Sequence, residues 1–201
     1  VITKIGSNAL LRGDEGVDHA FLGTIALQVR ALMARGVRVV LVSSGAVASG
    51  RTLVDGQHLD IDRHALAAVG QAQLAFDWQA ALREAGLRTA QVLVTEHDFI
   101  DRDRCRALRR TLQQLLDHGI VPVVNENDAV SPRGDHLADN DWLAALLAVR
   151  LRANKVMLLT DIDGLYDADP RSNPHARRLP ILPHIDRTIV DAAGGPGAIA
   201  S

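Results

Sequence analysis

Aromatic residues are scarce in this chain, at 3% of 201 residues. A core with so few rings must be aliphatic, and hydrophobic residues at 47% of the sequence supply a large one from Leu, Val, Ile and Ala. That composition suits buried parallel strands covered by helices. Cysteine is nearly absent. The single Cys105 excludes an internal disulfide and agrees with a reducing, cytoplasmic compartment. No reactive signature surrounds it, so it reads as an inert helix residue. No apolar run reaches the length of a membrane span, and no signal peptide is visible. Neither charge dominates: the formal net charge is −2. Nothing therefore argues for a nucleic-acid or other polyanion surface, and any phosphate site must be local. No repeat or low-complexity segment appears. The length suits one compact domain or two closely joined lobes. The chain starts at Val1 inside an apparent strand, which reads as a few residues short upstream.

What is present alternates between strand and helix. Residues 1–5 read as a strand, followed by a small-residue turn at Gly6, Ser7 and Asn8. Residues 18–35 carry a helical apolar face of Phe21, Ile25, Leu27, Val29, Leu32 and Met33, closed by Gly36. A second strand over 37–42 runs into Ser43-Ser44-Gly45-Ala46, which opens a helix. Residues 53–62 read as loop, with His58 and His64 as surface histidines. The span 64–85 is helical. Its Gly70 costs about 1 kcal/mol against Ala, so a close packing partner is expected. Strands follow over 87–95, 120–124 and 155–160, and helices over 101–118 and 142–152. The cluster Glu96, His97, Asp98 is read as loop chemistry in preference to a metal site. The arginines of 102–110 are read as a solvated face. The βαβ alternation predicts a three-layer αβα sandwich with an open, mostly parallel central sheet.

One stretch holds more polar groups than a turn needs: Asn125-Glu126-Asn127-Asp128 through Asp135 to Asp139-Asn140-Asp141. It follows the apolar strand at 120–124 and precedes the helix at 142, with Asp139 or Asn140 as N-cap. Ligands of open α/β sheets bind at this carboxyl edge of the strands. Lys4 at the end of the first strand, with the turn at Gly6, offers a cation and backbone donors to phosphate oxygens.

These segments together resemble a known family. Asn125 to Val130 reads NENDAV, Asp139 to Asp141 reads DND, and Thr160-Asp161 is followed by Asp169-Pro170-Arg171-Ser172-Asn173-Pro174. With KIGSNAL at the start and SSGA at 43–46, the series is similar to the glutamate 5-kinases of the amino acid kinase family, over residues 1 to about 191. The resemblance implies one kinase domain over 1–201, with a substrate-side lobe to about 150 and the start of a nucleotide-side lobe from about 151. It implies Lys4 and Asp141 as catalytic residues, the lysine at the transferring phosphoryl group and the acid organising it. Ser44, Gly45, Asp128 and Asn140 match the substrate contacts. Lys4, Gly6, Thr160 and Asp161 match the nucleotide contacts. No protein metal site is implied; Mg²⁺ arrives with ATP.

The implied reaction is phosphorylation of the L-glutamate γ-carboxylate, the first step of proline biosynthesis. A carboxylate is already ionised, so no general base is needed and catalysis reduces to alignment and charge neutralisation. Asp128 suits the substrate ammonium. The Ser44–Gly45 backbone and Asn140 suit its α-carboxylate. Proline as a feedback inhibitor and assembly into a dimer or tetramer are further implications. Alternatives inside the fold are acetylglutamate, aspartate or UMP kinases. A non-catalytic ligand-binding relative is the alternative outside catalysis. Ala138 and Ala107 depart from the family pattern. The resemblance further implies a Gly-rich nucleotide loop with a second phosphate lysine; after Lys4 the only lysine here is Lys155, so that loop is expected beyond Ser201.

Overall fold

The computed structural model of the chain describes residues 1–12, 16–54, 60–131, 140–160, 162–168, 170, 172–185 and 187. The chain divides into two compact units, Val1–Thr160 and Asp161–Ser201. The first holds a five-stranded parallel sheet in the order β3-β4-β2-β1-β5. Its strands are β1 (Ile2–Ile5), β2 (Val40–Ser43), β3 (Arg88–Val94), β4 (Ile120–Glu126) and β5 (Val156–Leu159). Between them lie α1 (Ser7–Leu10), α2 (His19–Ala34), α3 (Ala46–Val54), α4 (Arg63–Glu84), α5 (His97–Ile100), α6 (Arg102–Asp117) and α7 (Asn140–Leu151).

Strand alternation divides the core into two layers. Ile5, Val39, Leu41, Val121 and Val123 pack with Leu22, Ile25, Val29, Leu74, Trp78 and Leu82 of α2 and α4. Ile2, Val40, Val42, Val94 and Val124 pack with Phe99, Leu112, Leu143 and Leu147 of α5, α6 and α7. Helices therefore cover both faces, and the central strands are apolar on both. This is the αβα sandwich that the sequence pattern predicts.

The helix boundaries have local causes. The Asp18 side chain accepts from Phe21 N–H at 2.9 Å and starts α2. Asp62 does the same for Ala65 at the start of α4. Asp101 accepts from the N–H groups of Asp103 and Arg104 at the start of α6. Each satisfies first-turn donors that the helix leaves open. The expected partner of Gly70 is Gly50. A Cβ on Gly70 would lie 1.9 Å from the Ala46 carbonyl oxygen and 2.2 Å from Gly50 N, and one on Gly50 would lie 2.0 Å from Leu66 O. Backbone touches backbone where α3 crosses α4, and only glycine fits.

Several expectations shift. Gly6 does not merely turn the chain; it opens the one-turn helix α1. The second strand begins to pair at Val40, because Arg38 is turned outward to Asp117, 3.1 Å away. Leu53 and Val54 belong to α3, not to a loop. Leu27, placed on the buried face of α2 from sequence, is 51% exposed, while Leu22 and Ala26 are buried instead. Asn125 and Glu126 are the last residues of β4, buried to 2% and 4% exposure, where a loop was expected.

In the second unit, β6 (Leu165–Tyr166) and β7 (Arg178–Leu179) form an antiparallel pair. The Tyr166 hydroxyl donates to Asp163 at 2.7 Å, and Arg178 pairs with the same carboxylate at 3.2 Å.

Candidate active site

Parallel registers bring the ends of β1, β2 and β5 to one edge. Ile5 is level with Ser43 on one side and Leu159 on the other, so Gly6, Ser44 and Thr160 leave the sheet side by side. Lys4 shares its side of β1 with Ile2, which packs against α7. Its ammonium thereby reaches the first turn of that helix and pairs with Asp141 at 2.8 Å, with the lysine side chain only 13% exposed. The two residues expected to act together are placed together, 137 positions apart in sequence.

Gly6 also ties the sheet together. Its N–H donates to Leu159 O at 3.1 Å, tying β1 to β5. A Cβ here would stand 3.4 Å from Lys4 Nζ, so glycine keeps a methyl group away from the ammonium. Ser44 N–H is likewise taken, by Ile5 O at 3.1 Å. Gly45 has φ +107°, which a side chain rarely adopts, and a Cβ would collide with Leu10 at 2.8 Å. The strained turn leads directly into α3, whose first-turn N–H groups point outward from the helix start.

A line of amide side chains crosses this edge. Asn140 Nδ2 donates to Ser44 Oγ at 2.7 Å and to Asn125 Oδ1 at 3.2 Å. Asn125 Nδ2 donates to Gln71 Oε1 at 2.7 Å. Four elements are joined: the turn after β2, the end of β4, the start of α7 and the middle of α4. The direction of the chain leaves Asn140 Oδ1 buried without a hydrogen-bond partner. An acceptor, not a donor, is therefore left open. In this arrangement both Asn140 Nδ2 hydrogens are engaged within the protein.

Asp128 stands just past β4. The turn that carries it is held by Asn127 N–H to Val94 O at 2.7 Å and by Ser131 N–H to Asn127 O at 3.1 Å. Burial is the main influence on its carboxyl and pushes the pKa above the ordinary aspartate value; the charges of Arg63 and His64 oppose this. Arg63 is 4.0 Å from the carboxylate. His64 was read from sequence as a surface residue, but its Nδ1 hydrogen-bonds the Asp128 carbonyl at 2.6 Å. Gln71 and His64 are the residues that sequence reasoning missed. They are seven positions apart on α4, hence on one helical face, and that spacing was the available signal.

Thr160 ends the first unit next to the β5 edge, and it is exposed. Asp161, Asp135, Ala138, Asp139 and His58 lie outside the described residues. The Glu96–Asp98 cluster, expected as loop, opens the one-turn helix α5, and Asp98 serves the fold. Asp98 Oδ2 accepts from the Thr95 N–H at 2.6 Å and hydroxyl at 2.9 Å, and Oδ1 pairs with Arg104 at 2.7 Å. Among the described residues no group of three or more His, Cys, Asp or Glu is placed to hold a metal ion.

The sequence profile of the amino acid kinase family matches residues 1–195. The glutamate 5-kinase of Geobacter sulfurreducens is 43% identical over 201 residues, covering 98% of this chain and 54% of that protein. The glutamate 5-kinase of Alcanivorax borkumensis is 44% identical over 204 residues, with coverages of 98% and 54%. The chain spans about half the length of the curated relatives it matches. Among solved structures, UMP kinase from Bacillus anthracis aligns with a TM-score of 0.60 at 17% identity, covering 88% of this chain and 71% of that one. Isopentenyl phosphate kinase aligns at 0.61 and 21% identity, covering 88% and 77%.

Proposed function

Because this chain belongs to the amino acid kinase family, we propose that it forms the glutamate-binding and phosphoryl-transfer part of a glutamate 5-kinase. The observation that carries the reading is the Lys4–Asp141 pair set beside the Ser44–Asn140–Asn125 line at the carboxyl edge of the sheet. The substrate assignment is supported by the relatives named glutamate 5-kinase.

In the proposed reaction a γ-carboxylate oxygen of glutamate attacks the terminal phosphorus of ATP. The bond from that phosphorus to the bridging oxygen breaks, and ADP leaves with its electron pair. The nucleophile enters ionised, so no proton is removed. What the protein supplies is position and charge. Lys4 meets the negative charge of the transferring group. Asp141 fixes the ammonium in one place and is itself set by the first turn of α7. The substrate ammonium is received by Asp128, with the open Asn140 Oδ1 as a second acceptor. Its α-carboxylate is received by the N–H groups of Gly45 and the first turn of α3. Thr160 and Asp161 contact the nucleotide, which brings Mg²⁺ with it. Proline as a feedback inhibitor, a homo-oligomeric state and a cytoplasmic location are extensions of the same reading. Among the described residues, no helix is long and apolar enough to cross a membrane.

The test is trapping of the acyl phosphate with hydroxylamine, with glutamate, ATP and Mg²⁺ supplied. Hydroxamate forms with glutamate and not with acetylglutamate or aspartate, and ADP release, measured in parallel, is not stimulated by UMP. Hydroxamate with acetylglutamate or aspartate, or ADP release with UMP, and neither with glutamate, overturns the assignment.

A further inference from the structure

A groove of about 400 Å³ lies between α6 and the end of α7, away from Lys4 and Asp141. Five arginines line it and no carboxylate does: Arg102, Arg106 and Arg109 from α6, Arg150 and Arg152 from α7 and the residue after it. The α6 arginines of the groove are at i, i+4 and i+7, a single helical stripe. These arginines are exposed, as the solvated face expected from sequence requires, and three of them also line one side of the groove. Arg104, off that stripe, is the one that pairs with Asp98.

The partners of these arginines are few. Arg106 pairs with Asp103, and Arg150 donates to the Phe99 carbonyl at 3.1 Å. The side chains of Arg102, Arg109 and Arg152 make no ion pair or hydrogen bond among the described residues. Helix dipoles explain only part of the set. Arg150 and Arg152 sit at the negative end of α7, where cations are favoured, but Arg102 sits in the first turn of α6, where they are not. Arg152 has φ +52°, the only positive value among the described non-glycine residues. A helix end of that shape usually takes Gly or Asn; here it carries a guanidinium to the groove. Apolar side chains stand alongside, with Ile100 67% and Val149 73% exposed.

We propose that this groove is a second ligand site, for a small molecule bearing a polyphosphate group. Guanidinium forks match phosphate oxygens in pairs. Several unopposed cations call for an occupant with several negative charges. The volume lies in the range of small-molecule sites, about 300–1,000 Å³. The apolar side chains favour a ligand with an uncharged portion beyond its phosphates. The inference is independent of the reading at Lys4.

Cys105 lines the same groove and is the only cysteine, so its alkylation reports occupancy. The probe is sodium tripolyphosphate, used on the Lys4→Ala protein so that binding beside Asp141 does not contribute. At about ten times its dissociation constant, tripolyphosphate slows maleimide modification of Cys105 about tenfold. Sodium chloride of equal ionic strength does not. Calorimetry gives a dissociation constant below about 1 mM. The combined Arg102→Ala, Arg109→Ala, Arg152→Ala variant loses both signals while its melting temperature stays within a few degrees of the parent, since these side chains make no ion pair or hydrogen bond among the described residues. Absent heat of binding, protection that survives the triple substitution, or equal protection by sodium chloride overturns the proposal. So does protection by an acidic peptide where tripolyphosphate gives none, which makes the groove a protein-contact surface.

Discussion

Asp128 holds a carboxylate where burial makes its charge costly. Its pKa is raised chiefly by desolvation, against the pull of Arg63 and His64. Between the ordinary aspartate value and the raised one, the folded chain keeps a proton that the unfolded chain releases. Stability from this group is therefore complete below the unfolded value and is lost as pH rises through the folded one. At neutral pH the charge is a burden on the fold that a substrate ammonium would relieve. Asp128→Asn should accordingly melt at or above the temperature of the parent protein. Its glutamate KM should rise by roughly 30-fold or more, about 2 kcal/mol, as a charged partner is lost. A lower melting temperature with an unchanged KM would make Asp128 a structural residue. Lys4 behaves in the opposite sense, because it is proposed to meet charge that develops during transfer. Lys4→Ala should lower kcat by about 10²–10³ with little change in glutamate KM. Steady-state kinetics separate the two cases, and a kcat within a few-fold of the parent would leave Lys4 with only its ion pair.

Helix α4 links the packing of the fold to the amide line. Gly70 fixes how closely it approaches α3, and Gln71, the next residue, anchors Asn125. Ala is favoured over Gly inside a helix by about 1 kcal/mol. Yet Gly70→Ala should destabilise the chain by about 1–3 kcal/mol, because its methyl would meet the Ala46 carbonyl and overpacking costs more than propensity returns. Urea unfolding measures this, and a neutral or stabilised variant would show that the two helices can part cheaply. Gln71 tests the direction of the amide line. As the acceptor at its end, Gln71 can be replaced by Glu, which only accepts, with glutamate KM nearly kept. Gln71→Met fills similar space but cannot accept, leaves Asn125 Nδ2 without its partner, and should raise KM by about tenfold, near 1.4 kcal/mol. If Glu raises KM as much as Met does, Gln71 is the donor, the line runs the other way and Asn140 presents a donor; if neither raises it, the line does not bear on substrate binding.

For the whole molecule, the acid limb of stability reflects carboxylates that the fold holds ionised. Burial alone would raise the pKa of Asp98, but the Thr95 N–H, the Arg104 guanidinium and the Thr95 hydroxyl together hold it below the usual value. Its stabilisation is present above the unfolded pKa and is lost as pH falls through the folded one. Asp98→Asn should therefore cost about 1–3 kcal/mol at pH 7, the range for hydrogen bonds to a charged group. The difference from the parent should close as both proteins are acidified. Chemical denaturation at a series of pH values checks it. A constant difference down to the acid end would assign the effect to packing and not to charge.

The sequence by itself determined the class of fold and singled out Lys4 and Asp141, which the fold pairs. Alternating aliphatic runs and helical stripes make a parallel sheet covered on both faces, because strands buried on both sides need apolar residues throughout. Asp18, Asp62 and Asp101 mark helix starts because a carboxylate beside open N–H groups acts locally, and such short-range effects are legible in order along the chain. Gly70 announced a close contact through its conformational cost alone. What sequence could not supply was anything set by the crossing of distant elements. Asn125 reads as loop until β4 is paired on both sides and extends to Glu126. His64 reads as surface until α4 lies against the Asp128 turn. The direction of the amides depends on Gln71 meeting Asn125, 54 positions away. The arginines of α6 read as solvated, and they are, but that the end of α7 lies beside three of them is set by packing. In each case the local pattern was compatible with two environments, and only the packing of one element on another selected between them.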